Sequence, residues 1–71
     1  MRRGWFVEKL WIVYSPLTGY NVVKAVIRAE AIDKVKRRVY MKYKDSLREY
    51  ARFIVSLPDR FFTVQPAEII E

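Results

Sequence analysis

Residues 30–57, EAIDKVKRRVYMKYKDSLREYARFIVSL, decide how the rest of the chain can be arranged. The apolar residues of this stretch stand at Ile32, Val35, Val39, Tyr43, Leu47, Tyr50, Ile54 and Leu57, at spacings of three and four. That is the period of an α-helix with one apolar face. On a wheel of about 100° per residue, Lys34, Arg37, Arg38, Lys42, Arg48 and Arg52 gather on the opposite face, with Lys44 at its edge. Core stripe and densest basic surface are therefore expected on the same segment. Ser46 and Glu49 match the S-x-x-E capping box ahead of Leu47, with Asp45 as the other candidate cap. Either predicts a break near Lys44. The apolar phase runs through the junction, so one bent helix stays open beside two helices. Pro58 ends the segment in both cases.

Working outward towards the N-terminus, residues 5–28 read as a β-hairpin. Residues 5–14 are rich in Trp, Phe, Val, Ile and Tyr, which favour a pleated surface. Alternation divides them into Phe6, Glu8, Leu10, Ile12, Tyr14 on one face and Trp5, Val7, Lys9, Trp11, Val13 on the other. Both faces are largely apolar, so neither is expected to meet only water. One meets the helices; the other needs a partner, a second copy or a ligand. Trp5, Val7, Trp11 and Val13 are the candidate protein interface. Ser15-Pro16-Leu17-Thr18-Gly19 carries turn chemistry. Residues 20–28 are expected to form the second strand, with Val23, Ala25 and Ile27 inward and Lys24 and Arg28 outward. The rival reading extends the helix back to Val22, because Val22, Val26 and Ala29 keep helical spacing.

Arg2 and Arg3 form a short basic arm over residues 1–4, and residues 61–71 read as a final strand and tail. Pro66 restricts that strand to a sheet edge or a strand end. The expected architecture is α+β: one small domain holding a small antiparallel β-sheet in the order β-β-α-(α)-β, with an amphipathic helix or helix pair across one face. This element order resembles that of the small archaeal large-subunit ribosomal protein LX. The resemblance covers order alone, with no shared motif.

At 71 residues, a chain of this size buries only about 60% of the surface it exposes when unfolded. It holds no Cys and no His, which removes disulfides and the usual zinc ligands; no metal and no cofactor are expected. Acid–base chemistry at neutral pH relies most often on His, and the two glycines, Gly4 and Gly19, form no phosphate loop. The expectation is that the protein is not an enzyme. No secretory signal and no apolar run of about 20 residues is visible, so a cytoplasmic protein without a membrane span is expected. Asn21 and Gln65 are the only side-chain amides, a composition that leans towards thermophiles.

The formal net charge is +6, and such a balance favours polyanions. Residues 34–44 hold six cations and no acid. Cations along a rigid helix suit phosphate contacts, and arginine adds forked hydrogen bonding. Two functions follow. The first is a small basic nucleic-acid-binding protein, RNA favoured over DNA and associated with a ribonucleoprotein, in which Lys34, Arg37, Arg38, Lys42, Arg48 and Arg52 bind phosphates. The second is a protein-interaction or assembly module, homodimeric or larger, of viral or mobile-element origin, without a nucleic-acid role. A membrane-surface helix is a third class, but the core claims its apolar face.

Overall fold

A computed structural model describes residues 7–67. The basic arm, Trp5 and the tail residues 68–71 lie outside the described residues. The order is β1 (Lys9–Ser15), β2 (Gly19–Ala25), α1 (Arg28–Tyr43), α2 (Arg48–Ser56), a 3-10 turn (Asp59–Phe61) and β3 (Thr63–Pro66). This is the α+β arrangement expected from the sequence, a three-stranded antiparallel sheet in the order β2-β1-β3 with both helices on one face.

The hairpin pairs Lys9 with Ala25 at one end and Ser15 with Gly19 at the other. Three residues, Pro16 to Thr18, close it. The buried Ser15 hydroxyl accepts the Thr18 N–H at 3.0 Å and lies 2.6 Å from the Thr18 hydroxyl. Gly19 follows at φ 74°, a region that costs an L-residue about 1–2 kcal/mol. A Cβ added at Gly19 would meet nothing within 4 Å, so only the backbone term applies. Gly19→Ala is expected to destabilise by about 1–2 kcal/mol, with binding properties unchanged; urea unfolding measures it.

β2 stops at Ala25, short of the expected Arg28. The β-branched Val26 and Ile27 favour extension, but α1 captures the chain first. The Glu30 carboxylate accepts the Val26 N–H at 2.8 Å, and the Lys34 ammonium donates to the Lys24 carbonyl at 2.6 Å. Ile27 becomes the residue before α1 and is 58% exposed, not inward. Val22 lies within β2, so the rival helix is not formed. β1 likewise begins at Lys9, leaving Val7 ahead of it and exposed.

The helical segment breaks after Tyr43, near the expected position. Neither Ser46 nor Asp45 caps α2. Its N-cap is Leu47, at φ −132° and ψ 63°, with no side-chain cap bond. The turn is held by the backbone instead, Leu47 N–H to Tyr43 carbonyl at 2.7 Å and Ala51 N–H to Leu47 carbonyl at 3.0 Å. Leu47 therefore leaves the predicted stripe and is 53% exposed, while Ala51 joins Ile54 as a buried residue of α2.

Phe61 ends the 3-10 turn and does not start a strand. β3 begins at Thr63, pairs along β1 from Tyr14↔Thr63 to Trp11↔Pro66, and so places Pro66 at a strand end on a sheet edge. Residues opposite one another in an antiparallel pair share a face. Trp11, Val13, Val23, Ala25 and Phe62 meet Ala31, Ile32, Val35 and Val39 of α1 and Ile54 of α2 in one buried cluster. The Trp11 indole N–H donates to the Ala25 carbonyl at 2.9 Å inside it. α1 lies against the sheet and α2 packs mainly on α1. The Tyr50 hydroxyl of α2 reaches the Leu17 carbonyl at 2.9 Å, tying that helix to the hairpin turn.

Trp11 and Val13, expected at a protein interface, are thus core residues, 7% and 0% exposed. Large apolar bulk on that face of β1 is consumed by α1. Among the described residues, no helix is long and apolar enough to cross a membrane.

Candidate nucleic-acid interface

The six cations expected to form one row are divided three ways. Lys34 sits between Glu8, at 3.6 Å, and Glu30, at 3.7 Å, besides its bond to the Lys24 carbonyl. Arg37 pairs with Asp33 at 2.9 Å one helical turn earlier. Lys36, which the sequence reading did not select, is 15% exposed in its side chain. It donates to the Leu57 carbonyl at 2.6 Å, lies 3.6 Å from Asp59 and stands over the Phe62 ring at 5.7 Å. Lys36 is a structural cation that caps the end of α2.

Arg38 and Lys42 line a cleft of about 130 Å³ whose other walls include Thr18, Asn21, Tyr43 and Tyr50. Lys42 stands 5.4 Å from the centre of the Tyr43 ring. Arg48 and Arg52 line a different cleft, of about 270 Å³, with Tyr40, Lys44 and Asp45. The division follows from the break at residues 44–47. A helical wheel assumes a constant turn per residue, and Leu47, at φ −132° and ψ 63°, departs from it.

The acids are spent unevenly. Glu8, Glu30, Asp33 and Asp59 all lie within 4.0 Å of Lys34, Lys36 or Arg37. Among the described residues, no carboxylate stands within that distance of Arg38, Lys42, Lys44, Arg48 or Arg52. Five cations with no carboxylate within 4.0 Å among the described residues therefore surround the junction of α1 and α2, with Asp45 on the wall of one cleft, and the carbonyl end of the α1 dipole also favours positive charge there. Lys44, at the edge of the basic face in the sequence, joins the site, and Tyr40, Tyr43 and Tyr50, aromatics that could either stack bases or fill a core, stand on the walls of the two clefts. Tyr43 and Tyr50 do serve the core's edge, as their spacing predicted, with rings edge to face at 5.3 Å.

Of the predicted protein interface, Val7 alone is both described and exposed. The uncovered face of the sheet is the other one. It carries Leu10, Ile12 and Tyr14 of β1, Tyr20, Val22 and Lys24 of β2, and Thr63 and Gln65 of β3, as the registers require. Tyr14 and Tyr20 are cross-strand partners with ring centres 4.5 Å apart and planes at 38°. Beside them lies a cleft of about 240 Å³ walled by Ile12, Thr63 and Gln65. Among the described residues, no group of carboxylates is placed to hold a metal ion.

Comparison of the chain with known protein families, with curated proteins and with solved structures yields no match.

Proposed function

We propose that this chain binds nucleic acid, RNA ahead of DNA, by placing Arg38, Lys42, Lys44, Arg48 and Arg52 against phosphates. The observation that supports this best is the unequal use of acids. Three cations of α1 hold four carboxylates, while the five around the helix junction hold none among the described residues. Cations without internal partners can neutralise phosphates and release counterions, the main source of affinity for a nucleic-acid backbone. Arg48 and Arg52 add forked geometry, and the tyrosines in both clefts suit unpaired segments, which are commonest in RNA. Lys34 and Arg37, included by the sequence reading, have minor roles, because each already has a carboxylate partner. The reading is of a cytoplasmic, non-enzymatic binding protein, on its own or docked on a ribonucleoprotein.

A titration of the protein with mixed-sequence RNA at several salt concentrations tests this. Affinity should fall steeply with salt. Arg48→Ala and Arg52→Ala should each flatten the log–log slope by about 0.7 on single strands. Lys34→Ala and Arg37→Ala should flatten the slope less than Arg48→Ala, since the carboxylates beside Lys34 and Arg37 repel a phosphate at those positions. Failure to detect binding of RNA or DNA at low salt would remove the proposal.

A second reading, a protein-interaction or assembly module, is favoured by the uncovered sheet face and by exposed Met41, Phe53 and Val55 on the helices. Light scattering on the pure protein separates it: a homodimer or larger assembly is expected under that reading, and a monomer under the first.

A further inference from the structure

We infer that the uncovered face of the sheet is a platform for unpaired bases, so that the nucleic acid taken by this chain is single-stranded; this rests on the phosphate-binding reading above.

A base presents two chemistries, a π-face and a hydrogen-bonding edge, and only an unpaired base offers both to a protein. The sheet face holds a complement to each. Tyr20 is 77% exposed, and its ring leans on that of Tyr14 with centres 4.5 Å apart, which restrains it as a stacking surface. Across the adjoining cleft stand Thr63 and Gln65, over Ile12. A glutamine amide donates and accepts, and a threonine hydroxyl does both. Among the described residues, neither side chain makes a hydrogen bond within the chain. Stacking surface and free edge-reading groups therefore lie in one concavity.

The phosphate-binding cations connect to this face at one end of the sheet. Asn21 and Thr18 wall the cleft that holds Arg38 and Lys42. Successive residues of a strand point to opposite faces, so Tyr20, the neighbour of Asn21, stands on the other side of the same edge strand. A single strand held by Arg38 and Lys42 crosses β2 at Asn21 and lays its next bases on Tyr20 and Tyr14. A duplex keeps its bases stacked on one another and cannot use the platform.

The rival occupant is a second copy of the chain. Face-to-face packing of two such sheets would bury Thr63 and Gln65, whose hydrogen bonds would then have to be made across the seam. Unmade hydrogen bonds of this kind are penalised.

The test measures affinity for a short single-stranded RNA and for a fully paired RNA of the same composition. Wild type is compared with Tyr20→Ala and Tyr20→Phe. Tyr20 is largely exposed, so both variants should fold, which circular dichroism checks. Tyr20→Ala is expected to weaken single-strand binding by about 5- to 100-fold, with duplex affinity and the salt slope unchanged. Tyr20→Phe keeps the ring and should bind like wild type. If wild type binds RNA but Tyr20→Ala does so equally well, the platform is overturned and the phosphate reading stands. If wild type binds no RNA or DNA, both fall. If wild type scatters light as a dimer and Tyr20→Ala as a monomer, the face belongs to a second copy and the inference is overturned.

Discussion

Replacing Ile54 by alanine is expected to lower the free energy of unfolding by about 2–5 kcal/mol. Ile54 is 0% exposed and is one of the few residues through which the nine-residue α2 reaches the core. A helix that short does not hold together on its own propensity, so what Ile54 and Ala51 bury against α1 largely decides whether α2 is formed. Total stability for a chain of this length is on the order of 4–11 kcal/mol, so the loss leaves a large share of molecules unfolded or with α2 detached. Leu47→Ala is the control. A continuous stripe puts Leu47 in the core beside Ile54, but it is 53% exposed in the break, and its truncation should cost within about 0.5 kcal/mol. Urea unfolding followed by circular dichroism measures both. Equal costs at the two positions would contradict the break at residues 44–47.

Trp11→Ala is expected to cost about 3–5 kcal/mol. The indole is in the centre of the central strand and 7% exposed, and its N–H satisfies the buried Ala25 carbonyl at 2.9 Å. Trp11→Phe retains most of the apolar bulk and loses the donor. It should cost about 1–3 kcal/mol, from one lost buried hydrogen bond and the smaller ring together. The difference between the two variants isolates packing, since both lose the hydrogen bond. Calorimetry at a fixed protein concentration measures it, and light scattering on the folded fraction of Trp11→Phe should match wild type. A change in association state without a change in stability would instead restore Trp11 to an interface.

Periodicity carried the fold a long way. Spacings of three and four placed Ile32, Val35, Val39 and Ile54 in the core, and alternation in β1 separated Trp11 and Val13 from Ile12 and Tyr14. Alternation cannot say which of two apolar faces is inside, because that depends on where α1 crosses; Trp11 and Val13, expected at an interface, are core. Strand ends were missed where tertiary bonds overrode local preference, as with the Glu30 carboxylate at Val26. The candidate site was legible as a list of cations and not as a shape. The exposed break at Leu47 divides Arg38 and Lys42 from Arg48 and Arg52, and neighbouring acids remove Lys34 and Arg37. Those pairings at i and i+4 are visible in the sequence once the helix is assumed; the Glu8–Lys34 and Lys36–Asp59 meetings are not.

The middle place of β1 in the sheet has a kinetic side. Its partner β2 is joined to it by a three-residue turn, but β3 arrives from the far end of the chain, after a loop of roughly fifty residues has closed, and loop closure grows costlier with length. The hairpin and α1 can assemble from local steps, whereas the final four-residue strand must wait for both helices to dock. That strand is expected to be the last to join the sheet and the first to open from it, and hydrogen exchange checks this: the amides of Thr63 to Gln65 should exchange well before those in the centre of β1.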